Sequence, residues 1–424
     1  MIEKEGCILS LFFFSIIVLI FMLLHGCIMV KKSSLEYPEK IIINDISTGL
    51  PSTGLWRQNV VLEDMNNDGW LDIVVPPPRK AEENKNRPFI FLWDENKRNW
   101  VEGNYIFPKK TGYSYGAAAV NDLNNDGMLD IALAMHSSDI KILLRNNDSF
   151  SELKLPVEKK CISRILEIAD MDNDGWKDIV ALSEFNFSGI ADQCGIFIGF
   201  NKNGKGWDTK IIEGSNQQFG DYMAVGDING DGMKDILLAP QCRRDFMKPV
   251  WLCYGEGLCK SYEGELYIKP DEDVYLVRAK DIDGDGIDEI VFKVAQLGAK
   301  SIGRLIALKW KEKAFQDISK GLETINSEIL AFDLEDIDGD NKKEIITLTK
   351  DGLKIYKYKY KDKENDTEWI FLGNYNISEK YLSGVFDLKA RKNKDGSILI
   401  VFNQGIETND NNGIRAFKLI WKEK

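Results

Sequence analysis

Six stretches of this chain set acidic side chains at the spacing that closes oxygen ligands around one hard cation. They are Asp64, Asn66, Asp68 and Asp72; Asp122, Asn124, Asp126 and Asp130; and Asp170, Asp172, Asp174 and Asp178. The pattern returns at Asp227, Asn229, Asp231 and Asp235; at Asp281, Asp283, Asp285 and Glu289; and at Asp336, Asp338, Asp340 and Glu344. Side-chain oxygens at positions 1, 3, 5 and 9 converge. The carbonyl at position 7, on Trp70, Met128, Trp176, Met233, Ile287 or Lys342, completes the shell. Position 6 is Gly69, Gly127, Gly175, Gly232 or Gly286, with Asn341 in the last copy. Those residues allow the positive φ that wraps the backbone about an ion. Calcium suits such a shell better than magnesium, which demands a tighter octahedron and keeps its waters. The expectation is up to six structural calcium ions.

The residues after each loop decide what carries it. An EF-hand needs a bidentate Glu at position 12 and flanking helices, but position 12 here is Val75, Leu133, Ala181, Leu238, Phe292 or Leu348. From position 10 onward the chain runs apolar and β-branched, as in Ile73-Val74-Val75, Ile179-Val180 and Ile290-Val291. Apolar runs also lead in, as at Ala117–Val120 and Met223–Val225. These read as buried strands, which makes each loop the tip of a β-hairpin.

From first Asp to first Asp the copies are 58, 48, 57, 54 and 55 residues apart (64, 122, 170, 227, 281, 336). A period of about 50 residues built of short strands is the mark of a propeller blade of about four strands. A seventh unit follows, with Ser383–Leu388 and Ser397–Phe402 as its hairpin and Lys389, Arg391 and Lys394 where acids stand elsewhere. It keeps the hairpin without the ion. The fifth unit ends in Arg304–Lys313 followed by the strand-like Ala314–Leu322, whereas the last ends in Arg415–Lys424 with no outer strand after it. Ile41–Leu50 resembles the missing piece. The expected fold is an all-β, seven-bladed β-propeller with calcium hairpins in six blades, its ring closed by the N-terminal strand.

These residues resemble the FG-GAP repeats of the integrin α-subunit N-terminal propeller and the VCBS repeats of bacterial proteins. The aromatic-Gly lead is matched by Tyr115-Gly116 and Phe219-Gly220, and the small-residue strand end by Leu238-Ala239-Pro240. The resemblance covers about residues 40 to 424. It implies a calcium-binding propeller and does not specify a function.

The formal charge is −12. Twenty-one carboxylates sit at loop ligand positions, and six calcium ions would bring the loaded protein close to neutral, so the acidity reads as metal ligation. No basic stripe with interleaved aromatics appears, and nucleic acid is not an expected partner. Residues 8 to 24 are almost wholly apolar and end in Leu24-His25-Gly26-Cys27. That resembles a bacterial lipoprotein signal with Cys27 as the lipidated residue. The alternative is an uncleaved anchor helix, since the run is just long enough to span. The expected domains are a signal or anchor at 1–27, a linker at 28–40 and the propeller at 41–424, outside the cytoplasm and held at a membrane. Downstream lie Cys161, Cys194, Cys242, Cys253 and Cys259. They allow one or two disulfides, with Cys253 and Cys259 bracketing a hairpin turn, and leave at least one thiol.

The chain has only two histidines, His25 and His136, which disfavours zinc hydrolases. No nucleophile elbow or Walker loop occurs, and no catalytic residue is assigned. Loops on the face opposite the hairpins carry Arg79, Tyr113, Tyr115, Tyr222, Arg243 and Arg244. Aromatics stack on sugar faces and arginines grip carboxylates, so these are the candidate ligand-binding residues for a polysaccharide or a protein loop. The leading expectation is a non-catalytic adhesion or binding propeller of the cell envelope. A polysaccharide lyase and a structural subunit of an envelope complex are the alternatives.

Overall fold

The computed structural model describes residues 40–82, 86–108, 113–157, 161–184, 194–240, 247–296, 303–360, 367–407 and 412–422. The segment 1–27, most of the linker, and the residues Cys27, Cys242, Arg243 and Arg244 lie outside the described residues. Ile41–Trp421 form one compact unit.

Seven four-stranded sheets make up the unit, and within each of the first six every neighbouring pair of strands is antiparallel. The first blade runs from an inner strand at Val61–Glu63 through Asp72–Val75 and Phe89–Asp94 to an outer strand at Asn99–Glu102. The inner strands of the next six are Ala118–Asn121, Ser163–Ala169, Gly220–Gly226, Glu272–Lys280, Ile329–Glu335 and Val385–Lys392. Successive inner strands touch, and that of blade one also touches that of blade seven. In the seventh sheet Lys40–Asp45 lies beside Ile414–Lys422, so strands from both ends of the described chain share one blade. The only helical elements among the described residues are 3-10 turns such as Leu322–Thr324 and Glu379–Tyr381.

The continuous apolar runs after each loop follow from this stacking. A strand buried on both faces sends alternate side chains to opposite sides and needs apolar residues throughout. Ile73 faces the cluster shared with blade seven, where Val401 and Ala416 lie, while its neighbour Val74 faces blade two and Ile131. The same split recurs at Ile179 and Val180 and at Ile236 and Leu237. The core is therefore a set of layers between sheets. A fully buried isoleucine contributes about 1.5–3 kcal/mol to such a layer.

Candidate metal hairpins and the opposite rim

Each acidic stretch is the turn between an inner strand and its second strand. Strands end at Glu63, Asn121, Ala169, Gly226, Lys280 and Glu335, immediately before position 1, and resume at position 9. One hydrogen-bond scheme is repeated six times. The position-9 carboxylate accepts the N–H of position 2, as from Met65 to Asp72 at 2.9 Å and from Ile337 to Glu344 at 2.9 Å. The position-1 carboxylate accepts the N–H of position 6, at 2.6 Å for Asp64 and 3.2 Å for Asp336. The position-5 carboxylate accepts the N–H of position 7, at 2.7 Å from Trp70 to Asp68.

Backbone conformation explains the residue choice at position 6. Gly127, Gly175, Gly232 and Gly286 have φ of 85–89°, and a Cβ added there would meet nothing within 4 Å. The left-handed angle, and not crowding, is what calls for glycine; Asn341 accepts φ 64° in the sixth copy. Position 4 carries the same demand, which the sequence reading passed over. Asn67, Asn125 and Asn173 have φ of 57–58°, and Gly230, Gly284 and Gly339 have φ of 71–83°. The restriction of that position to Asn in the first three loops and Gly in the last three was the available signal.

Carboxylate oxygens of Asp170, Asp172 and Asp178 lie within 4.8 Å of one another, as do those of Asp281, Asp283 and Asp285 and of Asp336, Asp338 and Glu344. In the third loop Asp170 Oδ1 is buried without a hydrogen-bond donor. A buried carboxylate oxygen in that position is costly unless a cation meets it, so the donor set of hard oxygens fits a metal ion there. Burial pushes the position-9 carboxyls upward, Asp72 and Asp235 to about 7 and Asp130 and Asp178 to about 6. In these four blades the second position-9 oxygen accepts an N–H from the third strand, of Trp93, Arg145, Asn201 or Cys253, at 2.7–3.1 Å.

Blades five and six differ. Lys309 Nζ donates to Asp283, lies 2.7 Å from Asp285 Oδ2, and is 3.1 Å from Glu289 Oε1. Lys357 Nζ is bonded to Asp338 and lies 2.7 Å from Asp340 Oδ2 and 3.2 Å from Glu344 Oε1. Neither lysine was singled out from the sequence.

Inside the ring a cavity of 410 Å³ is lined by charges of both signs, including Glu63, Glu167, Lys280, Asp333, Lys389 and Arg391. Tyr222 sits on the inner strand of blade four and donates to the Phe386 carbonyl at 2.8 Å across the ring. Burial pushes its hydroxyl far above the ordinary value, so it stays a neutral donor. Tyr113 is buried between blades one and two, with Lys141 over its ring.

Arg79 and Tyr115 do meet on the rim opposite the hairpins, and they belong to a longer belt. Glu407 lies 3.0 Å from Lys80 and 3.3 Å from Arg79. The Arg79 guanidinium stands 5.3 Å from the centre of the Tyr115 ring, which stacks 4.9 Å from His136. His136 bonds Glu184, Glu184 lies 3.2 Å from Arg164, and Arg164 lies 2.7 Å from Asp221. The belt spans blade seven to blade four. Its members are far apart in sequence and carry no shared motif, so only the fold could reveal it.

Cys161 is bonded to Cys194, and Cys253 to Cys259. The first bridge ties the segment entering the inner strand of blade three to the segment entering its third strand. The second joins directly paired residues of neighbouring strands in blade four. Disulfides persist in oxidising compartments, which points to a location outside the cytoplasm. Among the described residues no helix is long and apolar enough to cross a membrane.

Comparison with known proteins agrees on the architecture. A family model of the FG-GAP-like repeat matches residues 64–133 and 122–181. The chain thus carries FG-GAP-like repeats in a seven-bladed β-propeller. No curated protein matches it. Among solved structures it is similar to a lectin of Agrocybe aegerita described as recognising non-reducing terminal N-acetylglucosamine. Identity is 15%, with 76% of this chain and 81% of that one covered and a TM-score of 0.50. A fungal alcohol oxidase of the AA5 family, in complex with copper, is 10% identical over 89% of this chain and 75% of that one, with a TM-score of 0.51. An ancestral GH74 enzyme is 12% identical over 87% of this chain and 47% of that one, with a TM-score of 0.52. At these identities the likeness shows the fold alone.

Proposed function

We propose that this chain is a non-catalytic binding propeller of the cell envelope, stiffened by calcium in its hairpin loops, which presents the opposite rim to a polysaccharide or protein ligand. The belt from Glu407 to Asp221 carries the reading, because it sets guanidinium forks beside stacked aromatic rings on one face. Rings of this kind cover the apolar face of a sugar, and a guanidinium pairs bidentately with a carboxylate. Calcium would be held by the hairpin carboxylates and the position-7 carbonyls, as hard oxygen ligands require. The resemblance of 64–181 to FG-GAP-like repeats supports the same assignment. Anchoring through a lipid on Cys27 completes the proposal; Cys27→Ala is expected to release the protein from membranes, and retention would favour a helical anchor.

The deciding experiment loads the soluble propeller, from about Ser33 with calcium, onto a panel of acidic and neutral polysaccharides. It records both retention and newly formed unsaturated or reducing ends. Retention without new ends is the expected result. New ends would establish the alternative, a polysaccharide lyase or other glycan-active enzyme. Failure to bind any member would leave a protein partner or a structural role in an envelope complex.

A further inference from the structure

The six hairpins share one backbone scheme, yet they divide into two kinds by what faces the carboxylates. Ile73 pairs with Phe91, Ile131 with Leu143, Ile179 with Gly199 and Ile236 with Trp251. The next residue of the third strand, beside position 9, is therefore Leu92, Leu144, Phe200 or Leu252. The same register, Ile290 with Leu308 and Ile345 with Tyr356, puts Lys309 and Lys357 at that place in blades five and six.

A second change accompanies the first. Position 9 is Asp in blades one to four and Glu in blades five and six. The Asp carboxylates give both oxygens to backbone N–H groups, as Asp178 does to Met171 and Asn201. The longer Glu289 keeps the Ile282 N–H on Oε2 and turns Oε1 to Lys309, and Glu344 does the same between Ile337 and Lys357. An added carboxylate at position 3 is not what brings the lysine. Asp172 gives the third loop four carboxylates as well, and Phe200 faces it. Among the described residues no ammonium or guanidinium lies within 4 Å of a ligand-position carboxylate in loops one to four.

We infer that Lys309 and Lys357 are built-in cations that stand in the metal position of the fifth and sixth loops, so that the chain takes four calcium ions and not six. Each ammonium lies against the position-3, position-5 and position-9 carboxylates of its loop, the oxygens a metal would need. One set of oxygens cannot hold an ammonium and a divalent ion together, because the two cations would stand at contact distance in a partly buried site. Each ammonium donates hydrogen bonds to the position-3 and position-5 carboxylates and stands 3.1 or 3.2 Å from the position-9 oxygen as an ion pair. Blades five and six are thus folded by an internal charge whatever the calcium level, while blades one to four depend on it.

This inference rests on the proposal that the first four loops take calcium, and metal counting separates the two. The full chain is equilibrated with calcium, passed through gel filtration, and its bound calcium measured by elemental mass spectrometry. Four ions per chain are expected, rising to six in Lys309→Met/Lys357→Met. Asp285→Asn, in loop five, should leave the count unchanged, whereas Asp174→Asn, in loop three, should lower it by one. Six ions in the unaltered chain, or an unchanged count in the double lysine variant, overturns the inference. Should the double variant not fold, loss of an ion in Asp285→Asn overturns it alone. A count of zero in the unaltered chain would instead remove the calcium reading itself.

Discussion

Arg278 Nε lies 3.0 Å from Asp333 Oδ1, and Nη2 of the same guanidinium lies 2.5 Å from Asp387, so one side chain of blade five grips the inner strands of blades six and seven. All three are buried. Burial works to raise the Asp333 carboxyl, but Lys280, Arg278 and Lys389 overcome it and hold the group at about 2. Removing one member of a buried pair leaves an uncompensated charge. Asp333→Ala is expected to cost about 3–5 kcal/mol, read as a lowered denaturant midpoint. A depressed folded-state value means that this stabilisation is present above the ordinary carboxyl range and is lost as pH falls through about 2.

Calcium bound only by the folded chain stabilises it by mass action, by about 2.7 kcal/mol at a hundredfold excess over Kd for one site. Chelation is therefore expected to lower Tm, and micromolar to millimolar calcium to restore it. An unchanged melt after complete chelation would remove the structural role of the ions.

The pH response of the chelated protein should run opposite to that of the buried arginine pair. Burial raises the Asp72, Asp130, Asp178 and Asp235 carboxyls to about 6–7, well above the unfolded value of 3.8. A raised folded-state value stabilises fully below the unfolded one and ceases to do so as pH rises through 6–7. Calcium-free protein is thus expected to melt higher at pH 5 than at pH 8. Saturating calcium should narrow or reverse that difference, since it binds the ionised form.

The two disulfides should contribute unequally. Cys161 and Cys194 are 33 residues apart, and Cys253 and Cys259 are 6 apart. On the chain-entropy model the longer loop is worth about 3.7 kcal/mol and the shorter about 2.2 kcal/mol. Paired Cys→Ser variants, compared by denaturant midpoint, test the order.

On the rim, Arg79→Ala and Tyr115→Ala are expected to weaken ligand retention at least tenfold, about 1.4 kcal/mol. Both residues are only half-buried, so their removal should shift Tm little. Lost retention with an unshifted melt identifies a binding residue; a large drop in Tm would make the belt a structural seam.

Much of this molecule was legible in its sequence for a simple reason. Each hairpin is closed by hydrogen bonds that span no more than seven residues, from Met65 to Asp72 or from Gly69 to Asp64. A nine-residue pattern can therefore encode it whole, and its repetition counts the blades. The apolar runs were legible too, because burial on both faces removes the polar alternation. What lay beyond the sequence was every relationship that depends on register or ring geometry. Lys309 meets Glu289 only because strand pairing brings residues 20 apart side by side. Tyr222 resembles a rim aromatic in sequence, yet its place on an inner strand points its hydroxyl to Phe386, 164 residues away. The sequence by itself determined the loop chemistry and the number of blades. Tertiary structure alone decided which loops hold a lysine against their carboxylates and which distant side chains share a face, since charges and rings act through space and not along the chain.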